Sequence, residues 1–222
     1  SCSFTVTVND NQDPNITCPA NIVTGNDPGQ CGANITFTAP SVFDNCPSPQ
    51  DNQVAGLPSG SFFPVGTTFQ QFAVLDAAGN SDTCSFTIEI IDGEAPVITC
   101  PPSDTFSTDT SFCNAVVNYP APIATDNCTN ITITQIIGQA SGSTFPAGPN
   151  TQTYVVTDSV GFTDTCSFVI SVVDSIDPTL ICPANLTFST DPNTCEAIVN
   201  YNIVAFDNCP GDSLVQTQGR IN

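Results

Sequence analysis

The sequence predicts an all-β protein of tandem β-sandwich modules stapled by disulfides. Two observations support this prediction. The 12 cysteines and the turn motifs around them recur with a period of 82 residues, which indicates tandem structural units. Apolar residues also alternate with polar ones over short stretches, which Pro and Gly separate, and no helical period appears. Half-buried β-strands give this alternation.

The cysteines define the repeat. They form four series, spaced by 82 residues apart from one step of 81: Cys2, Cys84, Cys166; Cys18, Cys100, Cys182; Cys31, Cys113, Cys195; and Cys46, Cys128, Cys209. Asp-x-x-x-Pro segments mark the natural boundaries. We therefore expect residues 1–9 to be the last strand of a preceding module, 10–91 and 92–173 to be complete modules, and 174–222 an incomplete one.

Several segments have strand alternation. They are Cys84-Phe86-Ile88-Ile90, Phe72-Val74-Asp76, Tyr154-Val156-Asp158 and Ala33-Ile35-Phe37-Ala39. A length of 82 residues suits a seven-strand immunoglobulin-like sandwich. The Ile-rich stretch 131–137 is either a variable binding loop or one more strand.

Composition excludes several classes of function. The net charge is −20, and the single basic residue, Arg220, cannot support nucleic-acid binding. The sequence contains no run of 18 apolar residues, so it gives no prediction of membrane insertion. The chain lacks His and Lys, and its acidic residues recur in register, which argues against an enzyme. Carboxylate oxygens instead suit Ca²⁺.

The sequence has no CxxC pair and no His, so its cysteines do not suggest a zinc site. They instead predict disulfides, and therefore an extracellular or cell-surface location. An antiparallel Greek-key layout predicts the pairs Cys18–Cys31, Cys46–Cys84, Cys100–Cys113, Cys128–Cys166 and Cys182–Cys195. Cys2 and Cys209 then pair outside this segment, or Cys2 of one subunit pairs with Cys209 of the next. The third module lacks counterparts of 151–158 and 165–173, and one donated strand would fill only one gap. An excerpt of a longer chain is therefore favoured.

The repeats resemble the hyalin repeat (HYR) family. The motifs are Asp92-x-x-x-Pro96-x-Ile98-x-Cys100-Pro101, Cys113-x-Ala115-x-Val117, Asp126-Asn127-Cys128, Ser141-Gly142-Ser143-x-Phe145-Pro146-x-Gly148 and Asp164-Thr165-Cys166-Ser167-Phe168. The first repeat adds Asp76-Ala77-Ala78-Gly79-Asn80. This resemblance implies an immunoglobulin-like fold and a non-enzymatic role in extracellular adhesion.

Acidic linkers and turns are the candidate metal sites, since an immunoglobulin-like unit places them at one end. The candidate calcium ligands are Asp10, Asp13, Asp44, Asn45 and Asp76; Asp92, Glu94, Asp126, Asn127 and Asp158; and Asp174, Asp177, Asp207 and Asn208. The alternative is that these side chains only cap turns.

Glycosylation is a further hypothesis. Asn-x-Thr sequons occur at Asn15, Asn34, Asn127, Asn130 and Asn185. Asp-Ser-apolar triplets resemble a bacterial O-glycosylation signal at Ser159, Ser175 and Ser213. An unmodified surface is the alternative.

The sequence thus predicts a structural or adhesive protein, extended as a rod or filament of modules. Its expected partners are other copies of itself or adjacent modules. The alternative is a recognition module that binds a glycan or protein ligand through loops at the sandwich ends.

Overall fold

The computed structural model describes residues 1–211 and 213–217, so Asp212 and Arg220 lie outside the described residues. The described chain is all β, which confirms the predicted fold class. Strands β1 to β18 are, in order, Asn15–Thr17, Ile22–Gly25, Gly32–Ile35, Ser41–Phe43, Gln50–Ala55, Ser61–Pro64, Gly66–Leu75, Ser81–Ile91, Val97–Thr99, Asp104–Ser107, Asn114–Val116, Ile123–Thr125, Thr132–Ile137, Thr144–Pro146, Gly148–Thr157, Thr163–Val173, Thr179–Ile181 and Val204–Phe206. None of the described residues forms a helix that could cross a membrane.

The chain divides into two compact units. Unit 1 contains Ser1–Val97, Thr125–Thr132 and Thr157–Thr163. Unit 2 contains Ile98–Ala124, Ile133–Val156 and the described residues from Asp164 onward. Two turns that belong to the second repeat by sequence therefore pack within unit 1.

The first repeat is a β-sandwich around one core. A four-stranded sheet has the order β2-β8-β7-β5, and the pairs β1-β4 and β3-β6 form two smaller sheets. The long hairpin β7-β8 is antiparallel, whereas β2 joins the other edge of β8 in parallel, with Ile22 opposite Ile88. Core residues come from both the large and the small sheets: Ile16, Ala33, Phe63, Phe72, Val74, Phe86, Ile88 and Ile90.

The second repeat has the same topology. Its large sheet has the order β10-β16-β15-β13, and its small sheets pair β9 with β12 and β11 with β14. Its core consists of Ala115, Val117, Tyr119, Phe145, Phe168, Ile170 and Val172. Strand β13 forms the sheet edge, so of the two interpretations of stretch 131–137 the additional strand is confirmed.

One predicted strand is shorter than expected. Strand β3 ends at Ile35, although the alternation continues to Phe37 and Ala39. The backbone of Phe37 bonds instead to the Ser59 side chain, because its amide donates to Ser59 Oγ at 2.8 Å and its carbonyl accepts from it at 2.9 Å. Hydrogen bonds to the Ser59 side chain thus replace the backbone hydrogen bonds of a β-ladder.

The predicted disulfide pairing is wrong. The structure has four disulfides: Cys18–Cys84, Cys31–Cys128, Cys100–Cys166 and Cys113–Cys209. None of the expected pairs Cys18–Cys31, Cys46–Cys84, Cys100–Cys113, Cys128–Cys166 and Cys182–Cys195 forms, and Cys209 has its partner inside the chain. Cys2, Cys46, Cys182 and Cys195 have no disulfide partner among the described residues.

The parallel edge pairing explains the error. Ile22 opposite Ile88 is an offset of 66 residues, the same as the separation of Cys18 and Cys84. Strand β2 and the last strand of the repeat, β8, therefore run side by side and bring these cysteines together. The loop before β3, with Cys31, lies instead beside the Asp-Asn-Cys turn of the following repeat, where the Asn127 side chain donates to the Gln30 carbonyl at 3.1 Å.

The third repeat retains one small sheet, in which β17 and β18 pair as β1 and β4 do, with Leu180 opposite Ala205. Residues 1–9 form no strand and are all exposed, and the first half-buried residue is Asp10. The expectation that residues 1–9 complete another module stays a prediction.

Candidate metal centre

Six of the predicted ligands converge in two groups of three. Asp10, Asp44 and Asp76 form one group, and Asp92, Asp126 and Asp158 form the other; within each, a carboxylate oxygen of every member lies within 4.8 Å of the others. Each group combines an Asp-x-x-x-Pro linker, an Asp-Asn-Cys turn and the turn after β7 or β15. Both groups lie in unit 1.

In the second group each carboxylate accepts hydrogen bonds from the protein through only one of its two oxygens. Asp92 Oδ1 accepts from Asn127 Nδ2 at 3.1 Å and from the Glu94 amide at 3.3 Å. Asp126 Oδ2 accepts from the Cys128 amide at 3.2 Å. These bonds fix the orientation of the side chains.

Asp158 is held by its own turn. Its Oδ1 accepts from the amides of Val160, Gly161 and Phe162 at 2.9, 2.6 and 2.9 Å. This turn links β15 to β16, and Gly161 supplies the positive φ of 105° that the tight reversal needs. The hairpin of β15 and β16 therefore holds the Asp158 carboxylate close to Asp92 of the linker.

The remaining oxygens of this group have no partner. Asp92 Oδ2, Asp126 Oδ1, Asp158 Oδ2 and the neighbouring Asn127 Oδ1 are all buried without a hydrogen bond. Asp92 is only 2% exposed and Asp158 only 8% exposed. Burying an unpaired charged oxygen is costly unless a cation or donor compensates it. The oxygens are hard ligands, of the type that Ca²⁺ binds in sets of six to eight with water.

The first group is similar but more open. Asp10 Oδ1 accepts from the Gln12 amide at 3.1 Å, and Asp44 Oδ2 from the Cys46 amide at 3.3 Å. Asp10 Oδ2 and Asp44 Oδ1 are buried without a partner. Both oxygens of Asp76 accept hydrogen bonds, since Asn80 Nδ2 donates to Oδ2 at 2.7 Å and the Asn80 backbone amide donates to Oδ1 at 2.8 Å.

Hydrogen bonds control the acidity of this group. Bonds from the Cys46 thiol and the Gln12 amide hold the pKa of Asp10 below its usual range. Burial alone would raise the pKa of Asp76, but bonds from Asn80 and the Gly79 amide outweigh it and lower that pKa. The bond to Asp10 raises the pKa of the Cys46 thiol, which stays protonated. Both carboxylates therefore carry charge at neutral pH.

Other predicted ligands lie outside the two groups. Asp13 and Asp177 are exposed. Glu94 accepts from Asn26 Nδ2 at 2.9 Å and from the Gly29 amide at 2.7 Å, so it anchors a loop rather than joining the carboxylates. Asn45 Nδ2 donates to Asp10 Oδ1 at 3.5 Å, which is longer than the other hydrogen bonds to this carboxylate group.

The third set is partial. Asp174 accepts from Thr108 Oγ1 at 3.3 Å, and Asn208 donates to the same hydroxyl at 2.9 Å. Asp207 accepts from the Cys209 amide at 3.3 Å. Within the described residues these acids form no group of three.

The repeat pattern does not predict that a loop covers the second group. Asn26 Oδ1 accepts from the Gly93 amide at 2.9 Å, and the Gln30 carbonyl accepts from Asn127. The recurrence of Cys31 and Cys113 marked this loop, but nothing in the spacing showed which turn it covers.

The predicted glycosylation sites differ in access. Asn15, Asn34, Asn130 and Asn185 are exposed, as are Ser159, Ser175 and Ser213. Asn127 is not free in the same way, because its Nδ2 donates to Gln30 and Asp92. Modification of the exposed residues stays a prediction.

Comparisons with known proteins place the chain in context. The HYR domain family model matches residues 9–90 and 91–172. Hyalin of Strongylocentrotus purpuratus is 31% identical over 95% of this chain and 19% of its own length. Hyalin of Lytechinus variegatus is 32% identical over 82% of this chain and 36% of its own length. The chain thus spans about a fifth to a third of these relatives.

Solved structures give weaker likenesses. Human CDH23 EC21-23 is 14% identical, covers 89% of this chain and 80% of that chain, and has a TM-score of 0.37. The protocadherin GammaB4 extracellular domain is 13% identical, covers 74% of this chain and 35% of that chain, and also has a TM-score of 0.37.

Proposed function

Because the chain belongs to the HYR domain family, we propose that it is a non-enzymatic extracellular protein that serves structure and adhesion. Its repeats extend as a rod or filament, and Ca²⁺ bound at the Asp groups stiffens the junctions between repeats. Its partners are adjacent repeats and other copies of the chain.

The buried, unpartnered oxygens of the second Asp group carry this proposal. Asp92, Asp126 and Asp158 each bind the protein through one oxygen and leave the other free. A group built only to cap turns has no need to bring three charges within 4.8 Å. Two carboxylates about 5 Å apart repel by roughly 3 kcal/mol at an effective dielectric constant of about 20. The attraction of a bound dication to each carboxylate outweighs that repulsion.

The chemistry of the group favours calcium. All its free ligand atoms are oxygens, and the sequence has no His. Softer metals that prefer imidazole or thiolate lack their ligands here. Mg²⁺ demands a strict octahedron, whereas Ca²⁺ accepts irregular sets of carboxylate, amide and water oxygens.

The disulfides support an extracellular location. Four of them join the described strands and loops, and such bonds persist in oxidising compartments. The absence of His and Lys from the sequence supports a non-enzymatic role, because the usual general bases and nucleophile activators are missing.

Calcium titration tests the proposal. Thermal unfolding of the oxidised chain in calcium and in chelator should differ, because a cation at 100 times its Kd adds about 2.7 kcal/mol per site. That free energy corresponds to a rise in Tm on the order of 10 °C. Isothermal titration calorimetry should give saturable binding. A Tm that is unchanged by chelator would contradict the calcium site.

Electron microscopy tests the assembly. Native material should show rods or filaments in negative stain, with straighter particles in calcium than in chelator. Compact monomers in both conditions would contradict the structural role and favour the alternative of a recognition module.

A further inference from the structure

A loop between β2 and β3, residues 26–31, contacts both of the segments that bring the second Asp group together. Asp92 lies in the linker after β8, and Asp126 lies in the Asp-Asn-Cys turn after β12. The loop, the linker and the turn all pack within unit 1. The loop therefore links two segments that carry ligands of the same candidate calcium site.

On the linker side the contacts are hydrogen bonds. The Asn26 amide donates to the Ile91 carbonyl at 3.1 Å, and Asn26 Oδ1 accepts from the Gly93 amide at 2.9 Å. Glu94 Oε1 accepts from Asn26 Nδ2 at 2.9 Å and from the Gly29 amide at 2.7 Å. The linker is therefore bonded to the loop on both sides of its clustered carboxylate.

On the turn side the contact is covalent. Cys31, the last residue of the loop, forms a disulfide with Cys128, which directly follows Asn127 in the turn. The Asn127 side chain adds a hydrogen bond, because its Nδ2 donates to the Gln30 carbonyl at 3.1 Å. The disulfide thus joins the turn to the loop, and the loop joins it to the linker.

The same contacts fix the side chain of Asn127 beside the Asp group. Its Nδ2 donates to the Gln30 carbonyl and to Asp92 Oδ1, both at 3.1 Å. These two bonds set the orientation of the amide, and its Oδ1 is buried without a hydrogen bond. Ca²⁺ accepts amide oxygens together with carboxylate oxygens. The loop therefore positions one more oxygen of the right type.

Charge repulsion opposes this arrangement when no cation is bound. Asp92, Asp126 and Asp158 lie within 4.8 Å of one another, so their charges favour separation of the turn from the linker. The Cys31–Cys128 bond restricts that separation, because it ties together residues 97 positions apart in the chain. A preorganised site binds its ligand more tightly than one that the ligand must first assemble.

We propose that Cys31–Cys128 is a positioning disulfide of the calcium centre: while it is closed, the loop holds the turn against the linker and raises the calcium affinity, and its reduction lowers that affinity. This rests on the proposed function as a calcium-stiffened array. The coupling is reciprocal, so bound calcium makes the disulfide harder to reduce by the same factor. Reduction takes two electrons and two protons from two molecules of a low-molecular-weight thiol, which leave as their own disulfide.

Calcium binding to the full oxidised chain tests the forward effect. In Cys31→Ser with Cys128→Ser, isothermal titration calorimetry should show a Kd about tenfold higher for the site that Asp92→Asn removes. Cys113→Ser with Cys209→Ser is the matched control, because it removes a disulfide of the same kind, with a separation of 96 instead of 97 residues. It should leave that Kd unchanged. Equal Kd values in the two double variants overturn the proposal.

Glutathione titration of the wild-type chain tests the reverse effect without any variant. Free thiols are blocked with N-ethylmaleimide, and the chain is equilibrated in glutathione buffers with saturating calcium or with chelator. Thiols released in the buffers are labelled with iodoacetamide and located in peptic peptides by mass spectrometry. Calcium should shift the reduction equilibrium of Cys31–Cys128 by about the same tenfold factor and leave that of Cys113–Cys209 unchanged. An unshifted Cys31–Cys128, or equal shifts of both bonds, would contradict the coupling.

A variant that keeps every cysteine tests the loop itself. Asn26→Ala removes the side-chain bonds to Gly93 and Glu94, so it should raise the same Kd several-fold. Asn21→Ala is the control, because Asn21 Oδ1 also accepts a backbone amide of unit 1, that of Thr87 at 2.9 Å. It should leave the Kd unchanged. Equal Kd values in these two variants rule out the role of the loop.

Failure of the calcium centre and failure of the coupling give different results. Without saturable calcium binding by the oxidised wild-type chain, the centre and the coupling both fail. If the wild-type chain binds calcium and the chain without Cys31–Cys128 binds it equally well, the calcium centre is retained and only the coupling fails.

Discussion

At the scale of single residues, turn capping and metal binding are compatible. Asp158 Oδ1 accepts three backbone amides, while its Oδ2 is buried and unpartnered. Asp126 divides its oxygens in the same way. The two interpretations of the Asp-Asn-Cys motif therefore describe different oxygens of one carboxylate.

The substitution Asp92→Asn separates the two roles. The amide oxygen can still accept from Asn127 and Glu94, but one of the three negative charges is lost. We expect the Tm in chelator to rise by a few degrees, because repulsion is relieved, and the rise on adding calcium to fall by at least half. Differential scanning calorimetry measures both values.

Asp51→Asn is the matched control, since Asp51 is an exposed acid in β5 of the same unit. It should leave both Tm values within about 1 °C, as surface substitutions usually do. An Asp92→Asn variant with the full calcium shift would contradict the assignment of Asp92 as a ligand.

The sequence located the six clustered Asp residues because the repeat places them at the same register in a linker and two turns. It did not separate them from Glu94, Asp13 or Asp177. That distinction depends on the loop that contains Asn26 and Gln30, which the preceding repeat supplies. Such contacts between residues 68 and 97 positions apart cannot be predicted from spacing alone.

At the scale of elements, the edge strand β2 determines the covalent framework. It runs parallel to β8, and this offset of 66 residues is also the offset of Cys18–Cys84. Period-two alternation correctly predicted strands within β7 and β8, but alternation does not reveal whether a neighbouring strand is parallel. The antiparallel assumption therefore gave the wrong pairs.

Replacing Cys18 and Cys84 by Ser should destabilise the first repeat. A bond that closes a loop of 66 residues stabilises by about 4 kcal/mol in the chain-entropy account. We expect urea denaturation to show a loss of about 2–4 kcal/mol in the free energy of unfolding. Replacing Cys2 and Cys182, which are exposed and have no disulfide partner among the described residues, is the control and should change the free energy of unfolding by less than about 0.5 kcal/mol. Equal losses would contradict the pairing.

The turn after β13 depends on a glycine. Gly138 has φ of 99°, and a Cβ there would collide with Gln152 Oε1 and lie 2.7 Å from the Thr151 carbonyl oxygen. Gln152 is fully buried, and its Oε1 accepts from Gln135 at 2.9 Å and from the Gln139 amide at 2.8 Å. The clash therefore breaks a buried network as well as straining the backbone.

Gly138→Ala should lower the free energy of unfolding by about 3 kcal/mol or more. Gly148→Ala is the control, because Gly148 has φ of 109° but open space around its Cβ position. It should cost only the backbone strain, about 1–2 kcal/mol. Urea unfolding curves of the two variants compare them directly, and equal costs would contradict the role of Gln152.

At the scale of the whole molecule, charge opposes folding. The net charge is −20 with a single basic residue in the sequence, so almost no carboxylate can form an ion pair. Long-range repulsion of this kind weakens the compact state and is screened by any salt. Two effects of calcium must therefore be distinguished: general screening and binding at the Asp groups.

Salt dependence distinguishes them. Raising NaCl from about 0.01 to about 0.15 M shortens the Debye length from roughly 30 to roughly 8 Å, so the Tm should rise smoothly by a few degrees. Millimolar calcium at constant ionic strength should add a further, saturable rise, because Asp92, Asp126 and Asp158 lie within 4.8 Å of one another and each has a buried oxygen without a hydrogen bond. Magnesium at the same concentration should give a smaller rise, since it sheds its water reluctantly. Equal shifts with calcium, magnesium and matched NaCl would show that calcium acts only as a counterion.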